Sequence, residues 1–144
     1  MTRATVEYVT GGGVVCRGDQ VLLLARPEKD EIRLPKGHID PGEEPAETAL
    51  RETAEETGYA DLEIVADLGQ TLVEFEADGR AYRRTEFYYL MELKSDRQTR
   101  RPTHDRAQFA PFWCPVDEGL RQLTFAEERT VLRRALAERR KLAL

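Results

Sequence analysis

The chain has 144 residues, 40% of them apolar, and a formal net charge of −5; that is enough for one core, so residues 1–144 are expected to form a single domain. The acidic balance leaves no electrostatic footprint for a nucleic-acid polymer or an anionic membrane, so a phosphate-bearing partner must be gripped locally, which suits a small nucleotide-like molecule. No stretch approaches the roughly 18 apolar residues of a membrane span and the N-terminus lacks a signal-peptide pattern, so a soluble, cytoplasmic chain is expected, monomer or homodimer. Cys16 and Cys114 have neither metal-site nor disulfide-framework spacing and are expected to be reduced and packed.

In chain order, β-branched residues predict strands over Val6–Val9 and Gly13–Cys16, interrupted by Gly11-Gly12-Gly13. The triple glycine lacks the Lys-Ser/Thr of a phosphate loop and no helix pattern follows it, so a bulge or a close backbone approach is its expected use. Arg17-Gly18-Asp19 is a turn, Gln20–Ala25 a buried strand, and Arg26–Glu31 a loop. Two prolines and two glycines between Leu34 and Glu43 predict a shaped, non-regular loop. A helix follows over Glu47–Thr57, with Pro45 at its first turn and Gly58 ending it in the left-handed conformation.

Strands are expected over Leu62–Ala66 and Thr71–Phe75, then an Asp78-Gly79 hairpin turn and a long returning strand, Ala81–Leu93. The charged segment Lys94–Ala107 reads as a mobile surface loop. Phe109–Val116, with two prolines, reads as a short or edge strand, Asp117–Leu120 as a helical turn, and Thr124 as the N-cap of a last helix to about Leu142, its stripe formed by Leu132, Ala135, Leu136 and Leu142. Strands on both sides of a central helix, with a second helix at the end, describe an α/β sandwich with a mixed sheet.

The chemistry concentrates on the first helix. With Glu52 as zero, Glu56 falls near +40° and Glu55 near −60°, so three carboxylates share an arc of roughly 100° while Leu50, Thr53, Ala54 and Thr57 lie opposite. Like charges so placed call for a neutraliser, and a hard divalent cation taking oxygen ligands, Mg²⁺ or Mn²⁺, suits them. Gly37, Glu43, Arg51-Glu52, Glu55-Glu56 and Gly58 are spaced as G-x₅-E-x₇-R-E-U-x-E-E-x-G-U, U being bulky and apolar. In this the chain resembles the Nudix hydrolase family, with Thr53 and Tyr59 standing at the two U positions.

The resemblance implies a Nudix α/β/α sandwich with a mixed sheet, and hydrolysis of a nucleoside diphosphate linked to another moiety. It implies metal ligation by Glu52, Glu55, Glu56 and the Gly37 carbonyl, support from Glu43, and an orienting role for Arg51. The general base is expected to be Glu56 or Glu52, with Glu86, Glu92 and Asp105 as further candidates. Lys36, Arg83 and Arg84 are candidate phosphate contacts, set against a solvated-cation reading of each. His38 lies in a Pro-Lys-Gly-His run similar to that of dinucleoside polyphosphate and diphosphoinositol polyphosphate hydrolases and is a candidate substrate contact. Tyr82, Tyr88 and Phe112 are candidates for stacking a base, although aromatic residues on strands commonly serve the core.

Thr103-His104-Asp105, Phe112-Trp113 and the last helix resemble the asymmetric diadenosine tetraphosphate hydrolases, which makes diadenosine tetraphosphate the expected substrate. Ala77, standing where many of those enzymes carry a tyrosine, departs from their pattern. Phe75, where the ADP-ribose branch carries a proline, disfavours that branch. The alternatives are pyrophosphohydrolysis of oxidised nucleoside triphosphates, diphosphoinositol polyphosphate hydrolysis and a non-catalytic nucleotide-sensing domain.

Overall fold

The computed structural model describes residues 4–144. The chain runs β1 (Val6–Arg17), β2 (Gln20–Arg26), a 3-10 turn (Pro27–Lys29), β3 (Glu31–Arg33), β4 (Lys36–His38), α1 (Pro45–Thr57), β5 (Leu62–Ala77), β6 (Arg80–Leu93), α2 (Thr103–Gln108), β7 (Ala110–Pro115), α3 (Val116–Gln122) and α4 (Ala126–Lys141). The sheet order is β3-β2-β1-β6-β5, with β4 on β1 and β7 on β2. Pairing of β1 with β6 is parallel and every other pairing antiparallel, so the sheet is mixed.

Side-chain alternation along the central strands builds two cores. Val14, Cys16, Val21 and Leu23 face one side and pack with Leu132 and Ala135 of α4; Val15 and Leu22 face the other and pack with Ala49 of α1. A period of two thus sends successive residues to opposite helical layers, which is the sandwich. Cys16 and Cys114 are buried free thiols, and burial pushes Cys16 up to about 11.

The triple glycine does not interrupt β1, which is continuous through it. It works by close approach: a Cβ on Gly11 would lie 2.6 Å from the Pro45 carbonyl oxygen, and one on Gly12 2.6 Å from that of Pro35 and 2.7 Å from the Tyr88 ring. α1 can therefore lie on one face of β1, and the Pro35-Lys36 segment cross the other, only because side chains are missing there.

Several expected boundaries are corrected. Leu62–Ala66 and Thr71–Phe75 are parts of one strand, kept continuous by register shifts between Ile64 and Ala66 and between Asp67 and Gln70; Gly69, at φ +84°, and the Asp67 carboxylate accepting its N–H at 2.7 Å absorb the second. Arg26–Glu31 contains the 3-10 turn, and the Leu34–Glu43 loop contains β4, whose Lys36, Gly37 and His38 pair with Gly12, Gly11 and Thr10. Lys94–Ala107 is no free loop. Thr99 N–H donates to the Gly58 carbonyl at 2.8 Å, Arg101 Nη1 to the Phe109 carbonyl at 2.7 Å, and α2 forms within it.

β7 pairs with β2 alone, the edge position its prolines require. Thr124 does not cap α4; its Oγ1 accepts the Ile32 N–H at 2.8 Å and its own N–H donates to the Ile32 carbonyl at 3.0 Å, leaving Phe125 at the cap. Leu142 lies past the end of α4 and is exposed, so the buried stripe is Glu128, Val131, Leu132 and Ala135.

Candidate active site

α1 is held in register at both ends. Glu44 caps it reciprocally with Glu47, Pro45 occupies the first turn, and Gly58 at φ +83° returns its N–H to the Ala54 carbonyl at 2.8 Å. Thr53, at an apolar position of the Gly37–Tyr59 box, is fully buried against Gly13 with its hydroxyl unpartnered among the described residues. A buried hydroxyl without a partner costs about 1–3 kcal/mol.

Arg51 is the hub of the acidic face. Its Nε and Nη2 donate to the two Glu43 carboxylate oxygens at 2.7 and 2.9 Å, and Nη1 donates to Glu52 at 2.7 Å and to Glu55 at 3.5 Å. Nη2 also reaches the His38 carbonyl at 3.1 Å, and Asp40 lies 3.4 Å away. Arg51 hydrogen bonds, with further donors from the Asp40 N–H and the Thr48 hydroxyl, hold Glu43 down to about 2. Glu43 therefore grips the arginine, and the arginine spans the helix glutamates.

Glu56 is buried and accepts the Lys36 backbone N–H at 2.8 Å. Burial first, and then the charge of Glu52, push it up to about 8; burial also raises Glu52, against the pull of Arg51. Gly37 abuts Glu52 so closely that a Cβ there would fall 2.1 Å from its carboxyl carbon. Among the described residues no three acidic, histidine or cysteine side chains stand together as a ready-made ion shell, and Arg51 neutralises Glu52 and Glu55. The donor set still fits a hard cation: oxygens only, on one helix face, with a cradle at Gly37 that any side chain would fill.

Lys36 is the crossing point of the molecule. Its backbone serves Glu56, while its buried ammonium lies 3.9 Å from Glu86 and 3.7 Å from Glu128. Those two carboxylates belong to β6 and α4, on the other side of the sheet from α1. Glu128 also accepts the Leu34 N–H, so the segment Leu34–Lys36 is clamped from both layers. Desolvation lowers the Lys36 ammonium, opposed by Glu128 and Glu86. A cavity of about 420 Å³ opens here, lined by Lys36, Phe75, Arg84, Glu86, Phe125 and Glu128 among others.

The remaining expected site residues divide. Arg84 lines the cavity, with Nε 2.7 Å from Glu86 and its guanidinium 5.2 Å over the Phe75 ring. Tyr82 stacks on Phe75 at 5.0 Å, behind that ring. His38 is exposed and stacks on Tyr8 at 4.6 Å. Arg83 points elsewhere, bonded to Glu7 at 3.2 Å and Glu74 at 3.5 Å on the surface. Tyr88 is a fully buried core residue and Phe112 packs on the core, so neither offers a face to a base. Asp105 is buried near enough to raise Glu52, whereas Glu92 pairs with Arg139 at 3.5 Å. Glu128 escaped the sequence reading although it left a signal: it sits on the buried stripe of α4, where a lone carboxylate demands a partner.

A carboxylate helix braced by one arginine, set beside a mixed sheet and joined through Lys36 to a cavity, defines an α/β domain with an acidic site. Comparison with known proteins narrows this. The NUDIX domain family model matches residues 8–135, and the chain belongs to the Nudix family. It is 38% identical over 135 residues to a Mycobacterium tuberculosis protein carrying the mutator name MutT4, covering 87% of this chain and 53% of that one. It is 35% identical over 98 residues to the rat asymmetrical bis(5'-nucleosyl)-tetraphosphatase, covering 68% of this chain and 65% of the relative. Among solved structures it is similar to a Caenorhabditis elegans Ap4A hydrolase binary complex, with TM-score 0.71 and 25% identity over 93% of this chain and 98% of that one. The chain thus spans about half the length of the mycobacterial relative and about two thirds of the rat one.

Proposed function

We propose that the chain is a divalent-metal-dependent pyrophosphohydrolase that cleaves a nucleoside diphosphate linked to another moiety, with diadenosine tetraphosphate as preferred substrate and Mg²⁺ or Mn²⁺ as the ion. One observation carries the reading: Lys36 joins the carboxylate face of α1, through its backbone, to the substrate-sized cavity, through its ammonium. Glu52, Glu55 and Glu56, with the Gly37 carbonyl, would hold the ion, which supplies an acidified water and neutralises phosphate oxygens. Arg51 braces Glu52 and Glu55, and the Lys36 N–H holds Glu56. Glu52 and Glu56, the two more buried carboxylates of the cluster, are the candidates for the general base.

Lys36 and Arg84 offer cationic contacts to a phosphate chain, and Phe75, backed by Tyr82, offers an aromatic wall. The rat and nematode proteins are named for bis(5'-nucleosyl) tetraphosphate chemistry, which supports this substrate. The mycobacterial relative's mutator name favours, as second reading, pyrophosphohydrolysis of oxidised nucleoside triphosphates. Incubation with diadenosine tetraphosphate, 8-oxo-dGTP, ADP-ribose and a diphosphoinositol phosphate, with products identified by mass, chooses between them. Diadenosine tetraphosphate should turn over fastest; if it is the slowest of the four, the preferred substrate is wrong.

A further inference from the structure

A second cavity, of about 350 Å³, lies at the C-terminal end of α1, between Thr57–Tyr59, the Gln98–Arg101 segment, Arg106 of α2 and Trp113 of β7. Three arginines line it, Arg100, Arg101 and Arg106, and no carboxylate does. The guanidinium of Arg17 lies 4.1 Å over the Trp113 ring at the cavity wall. In a chain of net charge −5 this is a locally cationic hollow, whereas the cavity beside Lys36 mixes its cations with an excess of carboxylates.

The three guanidinium groups are only partly engaged by protein acceptors. Among the described residues the Arg100 side chain has no hydrogen-bond or ion-pair partner, and that of Arg106 reaches only the Thr103 hydroxyl, at 3.2 Å. Arg101 donates through Nη1 to the carbonyls of Glu56, Asp105 and Phe109 at 3.4, 3.5 and 2.7 Å, leaving Nε and Nη2 without hydrogen-bond partners among the described residues. A helix C-terminus ordinarily repels anions because its last carbonyls are bare. Here Arg101 covers the Glu56 carbonyl, and the Thr99 N–H and hydroxyl cover that of Gly58, so these carbonyls at the end of α1 are not bare. Like charges gathered around one hollow repel unless a counter-ion joins them, and guanidinium forks match phosphate oxygens.

We propose that this cavity is an anion site for a phosphate or phosphomonoester dianion, held by Arg100, Arg101 and Arg106. The Arg101 bond to the Glu56 carbonyl places an occupant one hydrogen bond from the backbone of the acidic box. Free phosphate and the phosphate of a mononucleotide share this chemistry.

Trp113 is the only tryptophan of the chain, so its fluorescence reports on this cavity. The test titrates inorganic phosphate, and separately AMP, into the 144-residue chain in EDTA at constant ionic strength. Wild type should show a saturable change in Trp113 emission with either ligand, and tighter binding of AMP would assign the site to a nucleotide rather than to phosphate alone. Arg100→Gln removes no hydrogen bond or ion pair to the described residues, so that variant should fold as wild type yet bind at least about tenfold more weakly, and Arg100→Gln/Arg106→Gln weaker still. Glu52→Gln, on the acidic face, should leave the titration unchanged. No saturable change with either ligand, an equal response in the arginine variants, or a response abolished by Glu52→Gln would each overturn the proposal.

Discussion

Arg51 carries more of the local order than any other single side chain. Its fork grips Glu43, before the helix, through Nε and Nη2 and reaches Glu52, within it, through Nη1; a lysine ammonium has no planar fork and cannot reproduce the two-point grip on Glu43 at the same time. Arg51→Lys should lower kcat/KM about 100-fold and stability by roughly 2 kcal/mol, read by turnover assay and urea unfolding. Unchanged values for both would mean that the glutamates need no brace. Glu43 adds a pH signature. Its folded-state value, about 2, lies below the 4.5 of the free side chain, so its contribution is present above pH 4.5 and disappears as pH falls from there toward 2. Melting temperature should fall across that window in wild type, and Glu43→Gln should flatten the fall. A profile identical in both proteins would assign acid sensitivity to other carboxylates.

At the scale of elements, the acidic helix and its end at Gly58 were legible in the sequence because box spacing, proline and glycine all specify local geometry. The structure of residues 94–107 was not, because what orders that charged segment is the end of α1, distant in sequence and next to it in space. The role of the triple glycine was half legible. Close approach could be inferred from composition, but what approaches, Pro35 on one face and Pro45 on the other, needs the topology. Gly12→Ala should therefore act as an overpacking mutation, lowering stability by about 1–3 kcal/mol or preventing folding, as measured by thermal melting and soluble yield. α4 reaches the site through Glu128. Glu128→Ala frees the Leu34 N–H and leaves Lys36 with Glu86 alone, a loss of about 3 kcal/mol or more, whereas Glu128→Gln keeps an acceptor for Leu34 and should lose clearly less. Equal losses in urea unfolding would mean that the charge on Lys36, and not the clamp on Leu34, is what matters.

Across the whole molecule, the sheet separates two layers and Lys36 reconnects them. The carboxylates of α1 face one side of β1, Glu86 and Glu128 the other, and the Leu34–His38 segment threads between because Gly12 has no side chain to stop it. Sequence reading picked out the acidic face of α1 and, at the cavity opposite, Lys36, Arg84 and Glu86, but not Glu128, which α4 contributes to that wall as a single residue with no spacing of its own. Hydrolysis of diadenosine tetraphosphate as a function of Mg²⁺ concentration, by wild type and by Glu56→Gln, tests the central claim most directly. Wild type should release AMP and ATP only when the ion is present, and Glu56→Gln should be slower by about 100-fold or more at saturating ion. Turnover by wild type that persists in EDTA, or a Glu56→Gln protein as active as wild type, would contradict a metal-dependent site built on α1.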